Sequence, residues 1–182
     1  MANESAIIVP IPEVEPLVGP LRLQYDRAAR LGVPAHITLL YPFCPPQAIA
    51  DEIETLKDVC ACIDAFSFSF SFTEVRRFPA TAYLHPDKSE VFAQITKTLM
   101  KMWPAYRPYG GAFADIVPHL TVADKVDGKA LSAVEAALRG QLPIKCVARE
   151  IWLLISDDAG KWSRRAWFPL AAERQPEQDP RS

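Results

Sequence analysis

The chain has almost no charge bias: 20 Lys and Arg stand against 22 Asp and Glu, a net charge of −2. That balance excludes a broad, charge-driven nucleic-acid surface, though a short RNA end or a nucleotide can still be held in a pocket. No apolar run is long enough to cross a bilayer, so no membrane association is expected. The opening Met-Ala-Asn-Glu-Ser lacks Lys and Arg, and the apolar stretch behind it is too short for a secretory leader. A cytoplasmic location is the expectation. The four cysteines, Cys44, Cys60, Cys62 and Cys146, form no disulfide framework in a chain of 182 residues without such a leader. Cys60-Ala-Cys62 also lacks the spacing of a zinc site or a thioredoxin-type pair. All four read as small apolar packing residues.

What is present is the make-up of a globular domain, with 49% hydrophobic and 23% charged residues and 17 prolines that punctuate segment edges. Residues 6–10 read as a strand, and much of 13–30 as a helix bent at Gly19-Pro20. A second strand covers 36–42, and Ile49, Ile53, Leu56, Val59 and Ile63 give 47–63 a helical apolar stripe. Phe66, Phe68, Phe70 and Phe72 alternate with serines, the pattern of a strand with its aromatic face in the core. The second half starts with a strand at 81–84. A helix capped by Asp87 and Glu90 follows, running to about Trp103, and then an irregular segment over 104–117. A strand at 119–124 and a helix from Asp127 to Gly140 come next. Strands over 143–156 and 161–169, joined by a turn at Asp157-Asp158-Ala159-Gly160, complete the pattern, and 171–182 reads as a disordered tail. Each half thus reads strand, helix, histidine strand, helix, strand, a repeat of architecture rather than of identity.

Two of the three histidines sit in matched phrases within those halves: His36-Ile37-Thr38-Leu39 and His119-Leu120-Thr121-Val122. Alternation in a strand puts His36 with Thr38, and His119 with Thr121, on one face, while the apolar partners turn inward. One His-x-Thr on a strand is more often a structural pairing than a site. Two copies in equivalent positions reverse that weighting, because a pseudo-twofold would bring two imidazoles and two hydroxyls around one cleft. Opening a phosphodiester needs one proton removed and one delivered, and histidine, with a pKa near 6.5, serves either role near neutral pH. Threonine hydroxyls can hold the non-bridging oxygens where charge grows. No neighbouring Cys, Asp or Glu cluster supplies further metal ligands, so neither metal nor cofactor is expected.

With these motifs and this order of elements the chain resembles the two-histidine (2H) phosphoesterase superfamily. His36-Ile37-Thr38-Leu39-Leu40-Tyr41-Pro42-Phe43 is particularly similar to the bacterial 2′-5′ RNA ligase-like branch. The resemblance covers nearly all of residues 5–169. It implies an α+β fold of two pseudo-symmetric lobes, mostly antiparallel sheet with outer helices, around a central cleft lined by both motifs. It also implies metal-free action on 2′,3′-cyclic phosphates or 2′-5′ linkages. RNA ligase-type members often carry an arginine five residues after the second motif histidine; here Asp124 stands there, followed by Lys125. An acidic residue at that place weakens a contact to an RNA backbone.

The expectation is therefore a single bilobal domain over 1–170, with lobes built from about 5–75 and 80–169. It would be a metal-independent phosphodiesterase acting on 2′,3′-cyclic phosphate or 2′-5′ linked nucleotide or RNA ends. His36 and His119 would be catalytic, and Thr38 and Thr121 would bind phosphate. Phe43, Tyr83, Lys125 and Arg165 are candidate substrate-lining residues, and Arg76, Arg77 and Arg164 further basic candidates. Strand alternation pairs Arg165 with Trp167 on one face and Arg164 with Phe168 on the other. His85 reads as a turn or surface residue. The expected partner is a small nucleotide or short RNA end, with no stable protein partner. The competing readings are a non-catalytic nucleotide- or RNA-binding module using the same cleft, and a structural or partner-binding protein.

Overall fold

The structure, a computed structural model, describes residues 4–63, 67–112 and 115–170. The tail expected at 171–182, and Phe66 of the phenylalanine strand, lie outside the described residues. The elements follow in the order β1 (Ser5–Pro10), α1 (Glu15–Tyr25), α2 (Arg27–Arg30), β2 (His36–Leu40), α3 (Ile49–Cys62), β3 (Phe68–Phe78), β4 (Thr81–Pro86), α4 (Ser89–Met102), β5 (Leu120–Ala123), α5 (Gly128–Arg139), β6 (Ile144–Ala148), β7 (Glu150–Ser156) and β8 (Trp162–Pro169). No helix among them is long and apolar enough to cross a membrane.

The strands form two four-stranded sheets, ordered β2-β1-β7-β8 and β5-β4-β3-β6, with every pairing antiparallel. Each motif strand is a sheet edge, and β2 and β5 approach each other. The fold is the α+β, two-sheet arrangement the repeat calls for, but the lobes are not the contiguous spans 5–75 and 80–169. Strand β3, from the first half, pairs with β4 in the second sheet, and β7, from the second half, pairs with β1 in the first. The span read as one strand over 143–156 is cut at Arg149 into β6 and β7, which belong to different sheets. Helices cross as well: α1 packs on β5 and α4 packs on β2.

One continuous core joins the sheets through Ile7, Ile37, Leu39, Phe72, Leu84, Phe92, Val122 and Leu153, all buried. The alternation of β3 explains its contribution. Phe70 and Phe72 are buried until a bulge between Phe72 and Glu74 shifts the register. After it, Val75 and Arg77 turn toward the helices, and Glu74, Arg76 and Phe78 take the opposite face. Arg77 is ion-paired with Glu135 of α5.

Local signals fared unevenly. Asp127 caps α5 by accepting from the Ala130 N–H at 2.8 Å, and the turn at 157–160 joins β7 to β8 with Gly160 at φ 78. Asp87 does not cap α4; its carboxylate accepts from the Ser71 N–H on β3 at 2.9 Å. The helix expected over 13–30 continues through Gly19-Pro20 and is divided instead at Asp26, whose extended backbone separates α1 from α2 and whose side chain caps α2. Cys44, Cys60 and Cys146 are buried, whereas Cys62 is exposed at the end of α3 and does not serve as a packing residue.

Candidate active site

Both motifs are held by the same local device. The Nδ1 of His36 lies 2.7 Å from the carbonyl of Pro34, and the Nδ1 of His119 lies 2.6 Å from the carbonyl of Val117. In each case the ring nitrogen bonds the carbonyl two residues upstream. A carbonyl only accepts, so Nδ1 carries a hydrogen and Nε2 is the nitrogen at which each ring gains or loses a proton. Both rings are half-buried, and the field of each reaches the other: a charge on His119 disfavours one on His36. Thr38 and Thr121 are also half-buried and share faces with their histidines, while Ile37, Leu39, Leu120 and Val122 are buried. The convergence of the two edge strands brings the two motifs together, close enough for the charge of one histidine to act on the other.

Their surroundings differ. His36 stands across from Pro10 on β1 and lies within the field of Arg22. Burial, then the Arg22 cation, push its pKa down to about 3. Arg22 itself is buried, as is its partner: Nε and Nη2 both donate to Asp26 Oδ2, at 3.2 and 2.9 Å, and Nη1 donates to the Val33 carbonyl. His119 is lowered by burial as well, but the Asp124 carboxylate opposes that shift. Asp124 is fixed by the Thr81 hydroxyl at 2.8 Å, and its N–H donates to the Tyr25 carbonyl at the end of α1.

The remaining candidates separate by position. Phe43 is 4% exposed and packs edge-on against Trp103 and Tyr106, so it belongs to the core and lines nothing. Tyr83 is 5% exposed; it stacks on Phe78 and leans against the His119 ring at 5.1 Å, supporting the imidazole from beneath rather than meeting substrate. Lys125 is exposed just past β5 with φ 55. Arg165 is exposed at a bulge in β8, where the register jumps from Ala166 opposite Leu153 to Arg164 opposite Leu154. That bulge overturns the simple alternation: Arg164, not Arg165, shares the face of Trp152 and Trp167 and lies 4.4 Å over the Trp152 ring. Register carries the same face from Thr38 through Ile8 and Trp152 to Trp167.

Two residues near the junction are absent from the sequence reading of the site. His85 is no turn residue: extending the Leu84–Leu120 pairing by one position sets it opposite His119, and its charge opposes that of His119. The alternation Tyr83, His85 along one strand would have signalled it. Tyr109, in the irregular segment, hydrogen-bonds the Thr38 hydroxyl and feels the Asp124 carboxylate. No periodicity could have marked it. Among the described residues, no group of three or more His, Cys, Asp or Glu side chains is placed to hold a metal ion.

Comparison with known proteins agrees with the fold. The chain is similar in structure to Escherichia coli LigT complexed with NADP+, at a TM-score of 0.61 and 16% identity, over 93% of this chain and 98% of that one. A crystal structure described as a phosphoesterase matches at a TM-score of 0.61 and 15% identity, over 93% of this chain and 99% of that one. LigT complexed with 3′-AMP matches at 0.59 and 14% identity, over 93% and 99%. No curated protein matches the chain in sequence. The family model of the 2′-5′ RNA ligase superfamily matches residues 10–160, a span that contains both histidine motifs. The chain belongs to that superfamily, among the 2H phosphoesterases.

Proposed function

We propose that the protein is a metal-independent phosphodiesterase that opens 2′,3′-cyclic phosphates or 2′-5′ linkages at nucleotide or RNA ends. One observation carries the reading: two His/Thr pairs, on two converging sheet edges, hold both imidazoles by the same Nδ1 bond with Nε2 available. For a cyclic phosphate, His36 takes a proton from the attacking water through Nε2 as the water oxygen bonds to phosphorus. His119 delivers a proton from Nε2 to the ribose oxygen whose bond to phosphorus breaks. Burial and the Arg22 cation keep His36 neutral at working pH, the form from which a base starts. The Asp124 carboxylate favours the protonated form of His119 and supports the donor role. Thr38 and Thr121 donate to the non-bridging oxygens, where negative charge concentrates in the transition state.

Nucleotide-sized substrates are supported by the crystal structures of the relative LigT with 3′-AMP and with ATP. The modest acidity of the chain and Asp124 favour a small phosphodiester or a short end over a long RNA backbone. Phosphorus NMR of a panel of 2′,3′-cyclic nucleotides and 2′-5′ dinucleotides, run with excess chelator, tests the reading. Conversion to monoesters or free ends is the expected result. A folded protein that binds the nucleotides saturably but converts none of them is a binding module instead.

A further inference from the structure

The segment between α4 and β5 carries an unusual run of backbone conformations. Tyr109 adopts φ 53 and ψ 34, and Gly110 and Gly111 follow with φ 65 and 80, so three successive residues are left-handed. Glycine takes this region without cost, but for a bulky aromatic it is an outlier that persists only where its surroundings hold it. Here they do. The Tyr109 N–H donates to the Tyr41 carbonyl, just past the first motif strand, and the Gly110 N–H donates to the Arg107 carbonyl at 2.9 Å. The ring remains 40% exposed and meets the Tyr41 ring edge-on at 6.5 Å, while burial acts on the phenol end. What the turn achieves is placement: the phenol reaches Thr38, the hydroxyl of the first motif, within the field of Asp124, which follows the second. The segment linking α2 to the first motif, 31–35, contains no tyrosine, so this hydroxyl has no counterpart there.

We propose that Tyr109 is a further substrate-binding residue of this site, its phenol joining Thr38 in donating hydrogen bonds to a non-bridging oxygen of the substrate phosphoryl group. The inference rests on the phosphodiester reading of the cleft and adds to it a third hydroxyl, supplied by a loop. A phosphoryl oxygen has acceptor capacity for both hydroxyls at once, and bonds to a charged acceptor are stronger than the neutral bond they replace. Burial raises the phenol pKa above its ordinary value, so the group remains an O–H donor at neutral pH.

Tyr109→Phe removes the hydroxyl and keeps the ring. Its kinetics on 2′,3′-cyclic nucleotides and its affinity for 3′-AMP by calorimetric titration are compared with those of the unaltered chain, alongside the melting midpoint. A loss of about 10- to 100-fold in kcat/KM, with at least a several-fold weaker 3′-AMP affinity and an unchanged midpoint, is expected for a lost bond to a charged group. Unchanged kinetics and affinity overturn the inference while leaving the phosphodiesterase reading intact, as does a gain in either, which would make the phenol a plug on Thr38. An unaltered chain that binds 3′-AMP without turning over any cyclic nucleotide, and a variant that binds it more weakly, keep Tyr109 and overturn the phosphodiesterase. An unaltered chain that neither turns over nor binds overturns both.

Discussion

His36 and His119 occupy equivalent places at two sheet edges and are anchored by the same bond, yet their electrostatic settings are opposed. Around His36 the charge whose field acts on it most strongly is a buried guanidinium, and the residue across the strand pair is a proline with no donor to offer. Around His119 there are two aromatic rings, a third histidine and a carboxylate. Backbone symmetry supplies two similar imidazoles, and the side chains that break it make one reluctant to hold a proton and the other less so. A general acid and a general base need that kind of inequality.

The most forceful way to break this comparison is to delete either ring. His36→Ala and His119→Ala are each expected to cost about 10²- to 10⁴-fold in kcat on a cyclic nucleotide. Equal retention of activity in one of them, measured by phosphorus NMR, would show that only one imidazole moves protons. Removing the charge pairing behind His36 acts on stability instead. Asp26→Ala leaves Arg22 buried without its carboxylate and removes the cap of α2, and is expected to cost about 3–5 kcal/mol in urea unfolding. A loss below about 1 kcal/mol would mean that water reaches the guanidinium.

Acid stability sharpens the contrast further. Because the folded pKa of His36 lies near 3, the unfolded chain binds an extra proton from about pH 6.5 downward. The stability associated with neutral His36 is therefore present above pH 6.5 and is lost progressively as pH falls toward 3. His36→Asn should flatten this part of the curve of unfolding free energy against pH, and an unchanged slope would contradict a ring held neutral in the fold. The smallest expected effect belongs to Asp124→Asn. Without the carboxylate the pKa of His119 falls, its proton is lost earlier, and the alkaline limb of the pH–rate profile moves to lower pH. A shift toward higher pH would assign the acid role elsewhere. The apparent values belong to the coupled pair, so the direction is the readout.

Much of this was legible before any coordinates. The strand alternation around His36 and His119, the capping Asp127 and the phenylalanine face of β3 all depend on local pattern, and local pattern survives folding. Three kinds of information did not. A bulge in β8 reversed which face Arg164 occupies, and one inserted residue leaves no reliable trace in composition. Tertiary contacts moved Phe43 and Tyr83 from candidate lining into packing, because an aromatic near a site looks the same in sequence whether it faces ligand or supports a catalytic ring. The exchange of β3 and β7 between the sheets is a matter of long-range pairing, invisible to any window of a few residues.

That exchange limits how the protein can move. With β3 and β7 each paired into the sheet of the opposite half, and with α1 and α4 packed across the junction, the halves are stitched together at several points. A hinge that swung them apart would have to unzip ladder hydrogen bonds and uncover core side chains. The relative spacing of the two imidazoles therefore stays as rigid as the β-structure that carries them.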